Sequence, residues 1–148
     1  MSAVVSAAEV LLRLRRFLLV LSVSLFGGAL IELWLVGHTK DTIQWLPFAL
    51  CILGSLAVLL VLFRPGPGTI KALRICMAPV ALGTLLGIYL HVEGNISFAR
   101  EIEPNSPTTD LVLKGLAGAN PLLAPGILAV AAVLAVAATY RYTAGGQK

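Results

Sequence analysis

The sequence predicts an all-α membrane protein in which four transmembrane helices form one bundle. Of its 148 residues, 58% are hydrophobic and 12% are charged, a balance outside the usual range of soluble domains. No stretch alternates like the strand of a membrane barrel, so the backbone polar groups must be paired within helices. Four stretches approach the length of about 20 residues that a span requires: 17–36, 45–63, 72–92 and 121–140. Little chain remains outside them, so we expect a single domain, 1–148.

The first helix is expected to begin before the membrane. Ser6 and Glu9 have the spacing of a capping box, and Gly37 is typical of a helix C-terminus. The basic residues before Phe17, followed by small residues at 27–29, also resemble a signal peptide. Because the apolar run continues to Val36, a retained span is the better interpretation.

Turn-forming residues separate the next helices. The connection 38–44 is short, so the first two helices should be antiparallel neighbours. The connection 64–69 is rich in Pro and Gly, which favours a turn with Thr69 as the cap of the third helix. Pro79 within that helix predicts a kink, because proline removes one backbone hydrogen bond.

The segment 93–120 is expected to be a long outer loop that contains a short interfacial helix. Alternation at Ile96, Phe98 and Ile102 gives a weak strand signal. Asp110 is expected to cap a short apolar helix, 111–116, before the fourth span begins. Loops of this length are usually functional or disordered, and the apolar content of this one favours an ordered cap over the bundle.

The basic residues predict the orientation. Eight of the eleven lie on one side of an even-numbered bundle, and cytoplasmic loops carry the excess of Lys and Arg. Both termini should therefore be cytoplasmic in a plasma (inner) membrane, with anionic lipid opposite the basic side. No basic face with stacking side chains indicates nucleic-acid binding. The eight residues are Arg13, Arg15, Arg16, Arg64, Lys71, Arg74, Arg141 and Lys148.

A weak internal match offers a finer interpretation. Residues 28–35 align without gaps on 83–90, and Pro47 with its following residues aligns on Pro125. If this match is a true repeat, the bundle consists of two parallel-related helical hairpins with an axis along the membrane normal. Gly83 and Gly87 form a GxxxG pattern for close helix packing, either within the chain or in self-association.

One polar cluster is expected at the outer helix ends. Glu32 lies within the first span, where an acid is costly and needs a partner or water. In the internal alignment Gly87 takes the position of Glu32, and His91 lies one turn further on the same face. We therefore expect Glu32 and His91 to approach each other. The other candidates at this end are His38, Glu93 and Asn120, with Gln44 and Asn95 nearby.

The sequence leaves the activity open. No nucleophile motif is present, the His and Glu spacing matches no compact metal motif, and no cofactor is favoured. The first hypothesis is a non-enzymatic accessory or assembly subunit of a membrane complex, with 93–120 as the contact surface. The alternative is a small oligomeric transporter or channel with Glu32 as the ion- or proton-coupling group. A second alternative is a metal- or cofactor-binding membrane enzyme with its site at the outer helix ends.

Overall fold

The computed structural model describes residues 6–140 and Tyr142, and this part of the chain is helical without strands. Arg141 and Lys148, which contribute to the charge count, lie outside the described residues. The all-helical prediction is confirmed. The elements are α1 Ala7–Leu35, a 3₁₀ turn Thr42–Trp45, α2 Leu46–Phe63, α3 Pro67–Ile102, α4 Thr108–Ala117 and α5 Leu123–Ala138.

Four of these helices pack in a ring. Helix α1 contacts α2, α2 contacts α3, α3 contacts α5, and α5 closes the ring against α1. Across the ring the backbones of α2 and α5 approach each other, whereas no Cα atom of α1 lies within 8 Å of one in α3. The hydroxyl of Ser22 is fully buried in the α1–α5 contact and donates a hydrogen bond of 2.8 Å to the carbonyl of Ala131. The core is filled by apolar side chains such as Phe26, Val58, Leu73 and Val80.

Three stretches have the length and composition of membrane spans. They are α1, the 3₁₀ turn with α2, and α3, whereas the apolar helix α5 has only 16 residues. Large apolar side chains such as Phe17, Phe63 and Leu82 remain exposed on the outside of the bundle. A surface of this kind is stable in lipid and not in water, so the chain is a membrane-embedded helical protein.

The helix ends confirm some of the expected caps and correct others. Ser6 caps α1, because its hydroxyl accepts a hydrogen bond of 3.2 Å from the Glu9 amide. The carboxylate of Glu9, however, pairs with Arg13 at 2.6 Å and does not complete the capping box. Thr69 was wrong as a cap: α3 begins at Pro67, and the Thr69 hydroxyl accepts from the Gly66 amide at 3.0 Å. The helix includes Pro79 without ending there.

The third helix is longer than its apolar pattern indicated, and the strand signal was wrong. Helix α3 continues ten residues beyond 92 because α4 folds back against it and buries Asn95 and Ala99, which lie one turn apart. Thr108, and not Asp110, begins α4, and Asp110 lies in its first turn, where an acid is favourable. Most of the segment 93–120 is therefore a helical hairpin, which we call the α3–α4 hairpin (residues 93–117).

The turn of this hairpin is held by Glu103. Its carboxylate accepts hydrogen bonds from Lys114 at 2.5 Å and from the Ser106 hydroxyl at 2.7 Å. These donors, with Lys114 first, lower the pKa of Glu103, because both stabilise the ionised carboxylate. The ion pair joins the end of α3 to α4 across the turn.

Candidate functional site

A cavity of about 480 Å³ lies between the helices at one end of the bundle, which we call the cavity end. It is bounded by the last turns of α1, the 3₁₀ turn and first turns of α2, the middle of α3 and the start of α5. The opposite end holds the α2–α3 connection. The volume falls within the range of about 300–1,000 Å³ that is typical of small-molecule sites.

Glu32 is the carboxylate that lines this cavity. Ala29 and Val36 line the cavity one turn before and one turn after it, as residues on one helical face should. Glu32 is exposed, and within residues 6–140 and Tyr142 no side chain forms a hydrogen bond or an ion pair with it. Its charge is therefore left for water or a ligand to satisfy.

His38 is placed over the same cavity by the end of α1. Gly37 has φ +66°, a left-handed conformation that glycine adopts without strain. The His38 amide then bonds the Leu33 carbonyl at 3.0 Å and the Gly37 amide bonds the Trp34 carbonyl at 3.1 Å, which is a Schellman motif. Partial burial, and secondly the neighbouring His91, lower the pKa of His38, since both disfavour the imidazolium.

His91 joins α3 to the start of α5. Its Nδ1 lies 3.0 Å from the carbonyl oxygen of Pro121. A carbonyl only accepts hydrogen bonds, so Nδ1 carries the proton. In the neutral ring Nε2 is then an acceptor. The ring is thus fixed in one tautomer at the wall of the cavity.

One turn further along α3, Asn95 holds the returning chain in place. Its amide nitrogen donates 3.0 Å hydrogen bonds to the carbonyls of Gly115 and Asn120, and its oxygen accepts from the Asn120 amide at 2.8 Å. The side chain is 3% exposed, so these bonds satisfy a buried amide. They fix the segment that leads from α4 into α5 and hence the rim of the cavity.

The structure brings most of the candidate polar residues together. Glu32, His38, His91 and Asn120 line the one cavity, and Gln44 joins them. The fifth candidate is elsewhere: Glu93 lines a separate shallow groove with Tyr89 and Arg100. Because Glu93 is two residues beyond His91, it lies on a different face of α3.

Sequence reasoning missed the apolar wall of the cavity. This wall includes Pro47, Leu50, Leu90, Pro125 and Leu128, and Thr84 adds a hydroxyl. That hydroxyl donates to the Val80 carbonyl within its own helix at 3.0 Å. A signal was available, since the two prolines were already matched in the internal alignment and both lie in the first turn of a helix. Leucines, in contrast, look alike in every apolar span.

The GxxxG pattern faces neighbouring helices of the same chain. A Cβ at Gly83 would meet the side chain of Leu50 in α2, and a Cβ at Gly87 would lie 3.1 Å from that of Pro125 in α5. Small residues at these two positions allow α3 to approach α2 and α5 closely beside the cavity.

A metal centre finds no support in the geometry of the described residues, because no three His, Cys, Asp or Glu side chains among them are placed to share an ion. Comparison of the chain with protein-family models, curated proteins and solved structures gave no match.

Proposed function

We propose that this chain is a four-span inner-membrane protein that binds a small solute in the cavity and carries it across the membrane as an oligomer, with Glu32 as the coupling group. The observation that carries the proposal is the unpaired Glu32 carboxylate in a cavity of about 480 Å³. An acid near the membrane that merely held helices together would be paired with protein groups. Glu32 instead faces open space.

Contacts at its two ends support α5 as the fourth span. At its start the Pro121 carbonyl accepts from His91 of α3, and at its end the Thr139 carbonyl accepts from Arg74 of α3 at 2.6 Å. Arg74 and His91 are 17 residues apart, which corresponds to about 26 Å of helix. That height is close to the hydrocarbon thickness of about 30 Å.

The basic residues support an orientation with the cavity end outside. Arg15 and Arg74 lie at the opposite end of the bundle, where they donate hydrogen bonds to the carbonyls of Tyr140 and Thr139. Arg64 lies in the α2–α3 connection at the same end. By the charge rule this end is cytoplasmic, and the cavity then opens outward.

The lining of the cavity supports two parallel-related hairpins. In the alignment of Gly28 on Gly83, a residue of α1 corresponds to the residue 55 positions later in α3. Three residues of α1 that line the cavity, 29, 32 and 36, correspond in this way to 84, 87 and 91, which also line it. In the alignment of Pro47 on Pro125, each residue corresponds to the one 78 positions later. Four lining residues, 43, 46, 47 and 50, correspond to 121, 124, 125 and 128, which also line the cavity. This correspondence supports an arrangement in which equivalent faces of the hairpins α1–α2 and α3–α5 are related by one axis. The chemistry on them differs, since Glu32 corresponds to Gly87.

Transient currents from proteoliposomes on a solid support test the proposal. Concentration jumps of small organic cations, anions and neutral solutes are applied to the wild type, Glu32→Gln and Glu101→Gln. Glu101 is an exposed acid outside the cavity and serves as the matched control. We expect a charged solute to produce a current in the wild type and in Glu101→Gln that is lost in Glu32→Gln. Equal currents in all three proteins, or none from any solute, would contradict the proposal.

An accessory role is the second candidate, and the α3–α4 hairpin favours it. Phe98, Ile102, Leu113 and Leu116 are each more than half exposed there, beyond the part of α3 that packs in the bundle. Apolar side chains of this kind are typical of contact surfaces for partners.

Mild-detergent purification followed by mass spectrometry tests this second candidate. An accessory subunit should retain a larger membrane protein at constant stoichiometry, and Phe98→Ser with Leu113→Ser should release it. Leu82→Ser, a substitution on the exposed membrane face, is the control and should retain the partner. Purification of the chain free of other proteins under the same conditions would remove the basis for this role.

A further inference from the structure

The charge of the cavity selects for cations. Glu32 is the only Asp, Glu, Lys or Arg among the described residues that line it. The two histidines that share the cavity repel each other when both are protonated, and the pKa of His38 is lowered. The site therefore holds one carboxylate and no lysine or arginine to balance it. Because the apolar walls have a low dielectric constant, a carboxylate attracts a cation more strongly in the cavity than it would in water.

Two of the side chains that line the cavity, Glu32 and His91, offer hydrogen-bond acceptors to a ligand. A carboxylate accepts only. Because Nδ1 of His91 is committed to the Pro121 carbonyl, Nε2 is the ring nitrogen left for a ligand, and it accepts a hydrogen bond when the ring is neutral. A ligand that satisfies both groups has to donate hydrogen bonds. A protonated amine does so with up to three N–H groups.

The lining also disfavours quaternary ammonium ions. Sites for such ions use aromatic rings, whose faces attract a cation without N–H groups. Within the described part of the chain, none of the lining residues is Phe, Trp or Tyr. The walls are aliphatic, with Leu33, Leu46, Leu50, Leu90 and Leu128 among them. A compact aliphatic body is the complement of such walls.

We propose that the cavity binds a protonated primary or secondary amine with a compact aliphatic body, whose ammonium group lies between Glu32 and His91. This inference rests on the proposed function and names the class of its solute. The volume of about 480 Å³ accommodates a body of polycyclic size together with water at the open side.

Three adamantane probes of nearly equal shape test the class of ligand. Adamantan-1-amine carries a charge with N–H donors, its N,N,N-trimethyl derivative carries the charge alone, and adamantan-1-ol carries neither the charge nor an ammonium group. Binding is measured by isothermal titration to the full chain in nanodiscs, with empty nanodiscs subtracted. We expect the amine to bind at least tenfold more tightly than either of the other two probes. Glu32→Gln should remove that preference, whereas Glu101→Gln should keep it.

A second variant tests the space of the cavity independently of the Glu32 carboxylate. Ala124 lines the cavity and is partly exposed, so Ala124→Phe should fill the space and weaken all three probes while Glu32 stays in place. Thermal unfolding of each variant reports whether it is folded, and the Ala124→Phe result stands on its own if Glu32→Gln does not fold.

The outcomes distinguish a wrong class of ligand from a wrong binding site. If the alcohol or the trimethyl probe binds as tightly as the amine and Ala124→Phe abolishes that binding, the amine class is wrong and the solute site stands. If no probe binds the wild type, or if Ala124→Phe leaves the binding unchanged, the cavity is not the binding site and the proposed function fails with it.

Discussion

His38 shows how a single residue acquires its properties from the chain around it. The left-handed Gly37 and the Schellman hydrogen bonds carry His38 back over the end of α1, where it lies near His91 of α3. Burial and the second imidazole both favour the neutral ring. The polar candidates were predictable from the sequence because Glu32 and His91 interrupt apolar runs. The leucines of the wall were not, since one leucine in a span looks like another.

His38 is expected to titrate below its ordinary pKa of 6.5. His38 therefore binds a proton more readily in the unfolded chain than in the folded chain. The contribution of His38 to stability is therefore present above pH 6.5 and is lost as the pH falls through the lowered pKa. In His91→Gln the pKa of His38 should rise part of the way towards 6.5. It should not reach that value, because burial, the larger cause of the lowering, remains. Histidine NMR titration measures both values, and an unchanged His38 pKa in His91→Gln would show that the rings do not interact.

At the scale of elements, α3 shows the limit of the apolar pattern. Its hydrophobic run ends near Val92 because the next residues leave the bundle, yet the helix continues since α4 covers one face of it. The contacts of Asn95 with Gly115 and Asn120 join parts of the chain at least 20 residues apart. No local signal contains that pairing, which is why the hairpin was expected to be a loop.

Gly54 in α2 tests how closely α1 and α2 pack. A Cβ there would lie 2.6 Å from the ring of Phe26, which is fully buried and has little room to move. Gly54→Ala should therefore lower the free energy of unfolding by about 1–3 kcal/mol, the usual cost of overpacking. Adding Phe26→Leu should restore part of the loss.

Gly27 is the matched control for this substitution. A Cβ at Gly27 meets nothing within 4 Å, so Gly27→Ala should be neutral or stabilising by up to about 1 kcal/mol, as alanine favours helix. Detergent-induced unfolding followed by circular dichroism measures both variants. Equal effects at Gly27 and Gly54 would mean that α1 and α2 are not in contact at Phe26.

Arg74 is expected to anchor the C-terminal end of α5 to α3. Its guanidinium bonds the hydroxyl and the carbonyl of Thr139 at 3.1 and 2.6 Å, and a cation at a helix C-terminus also stabilises the helix dipole. Arg74→Gln should cost about 1–2 kcal/mol of unfolding free energy. Lys71 is exposed one turn earlier, and Lys71→Gln should change little. A larger loss for Lys71→Gln than for Arg74→Gln would rule out this anchor for α5.

For the whole molecule, the ring of α1, α2, α3 and α5 explains why a cavity lies between these helices. The Cα atoms of the diagonal helices α1 and α3 stay more than 8 Å apart, and the space between them at the cavity end is lined from both hairpins. The helical membrane architecture was predictable because composition and run length alone require it. The cavity was not, since its existence depends on how far two non-adjacent helices stand apart.

The central claim is that the cavity contains water and opens to the outside of the cell, and cysteine labelling tests it most directly. In a Cys51→Ala/Cys76→Ala background, Ala124→Cys places a thiol in the cavity and Gly68→Cys places one at the opposite end. A small membrane-impermeant methanethiosulfonate is added to intact cells. We expect Ala124→Cys to react at once and Gly68→Cys only after permeabilisation. Asn105→Cys, in the turn between α3 and α4, is the control for an exposed outer position. Reaction of Gly68→Cys in intact cells would contradict the account, and so would an Ala124→Cys that stays unreactive on both sides while Asn105→Cys reacts.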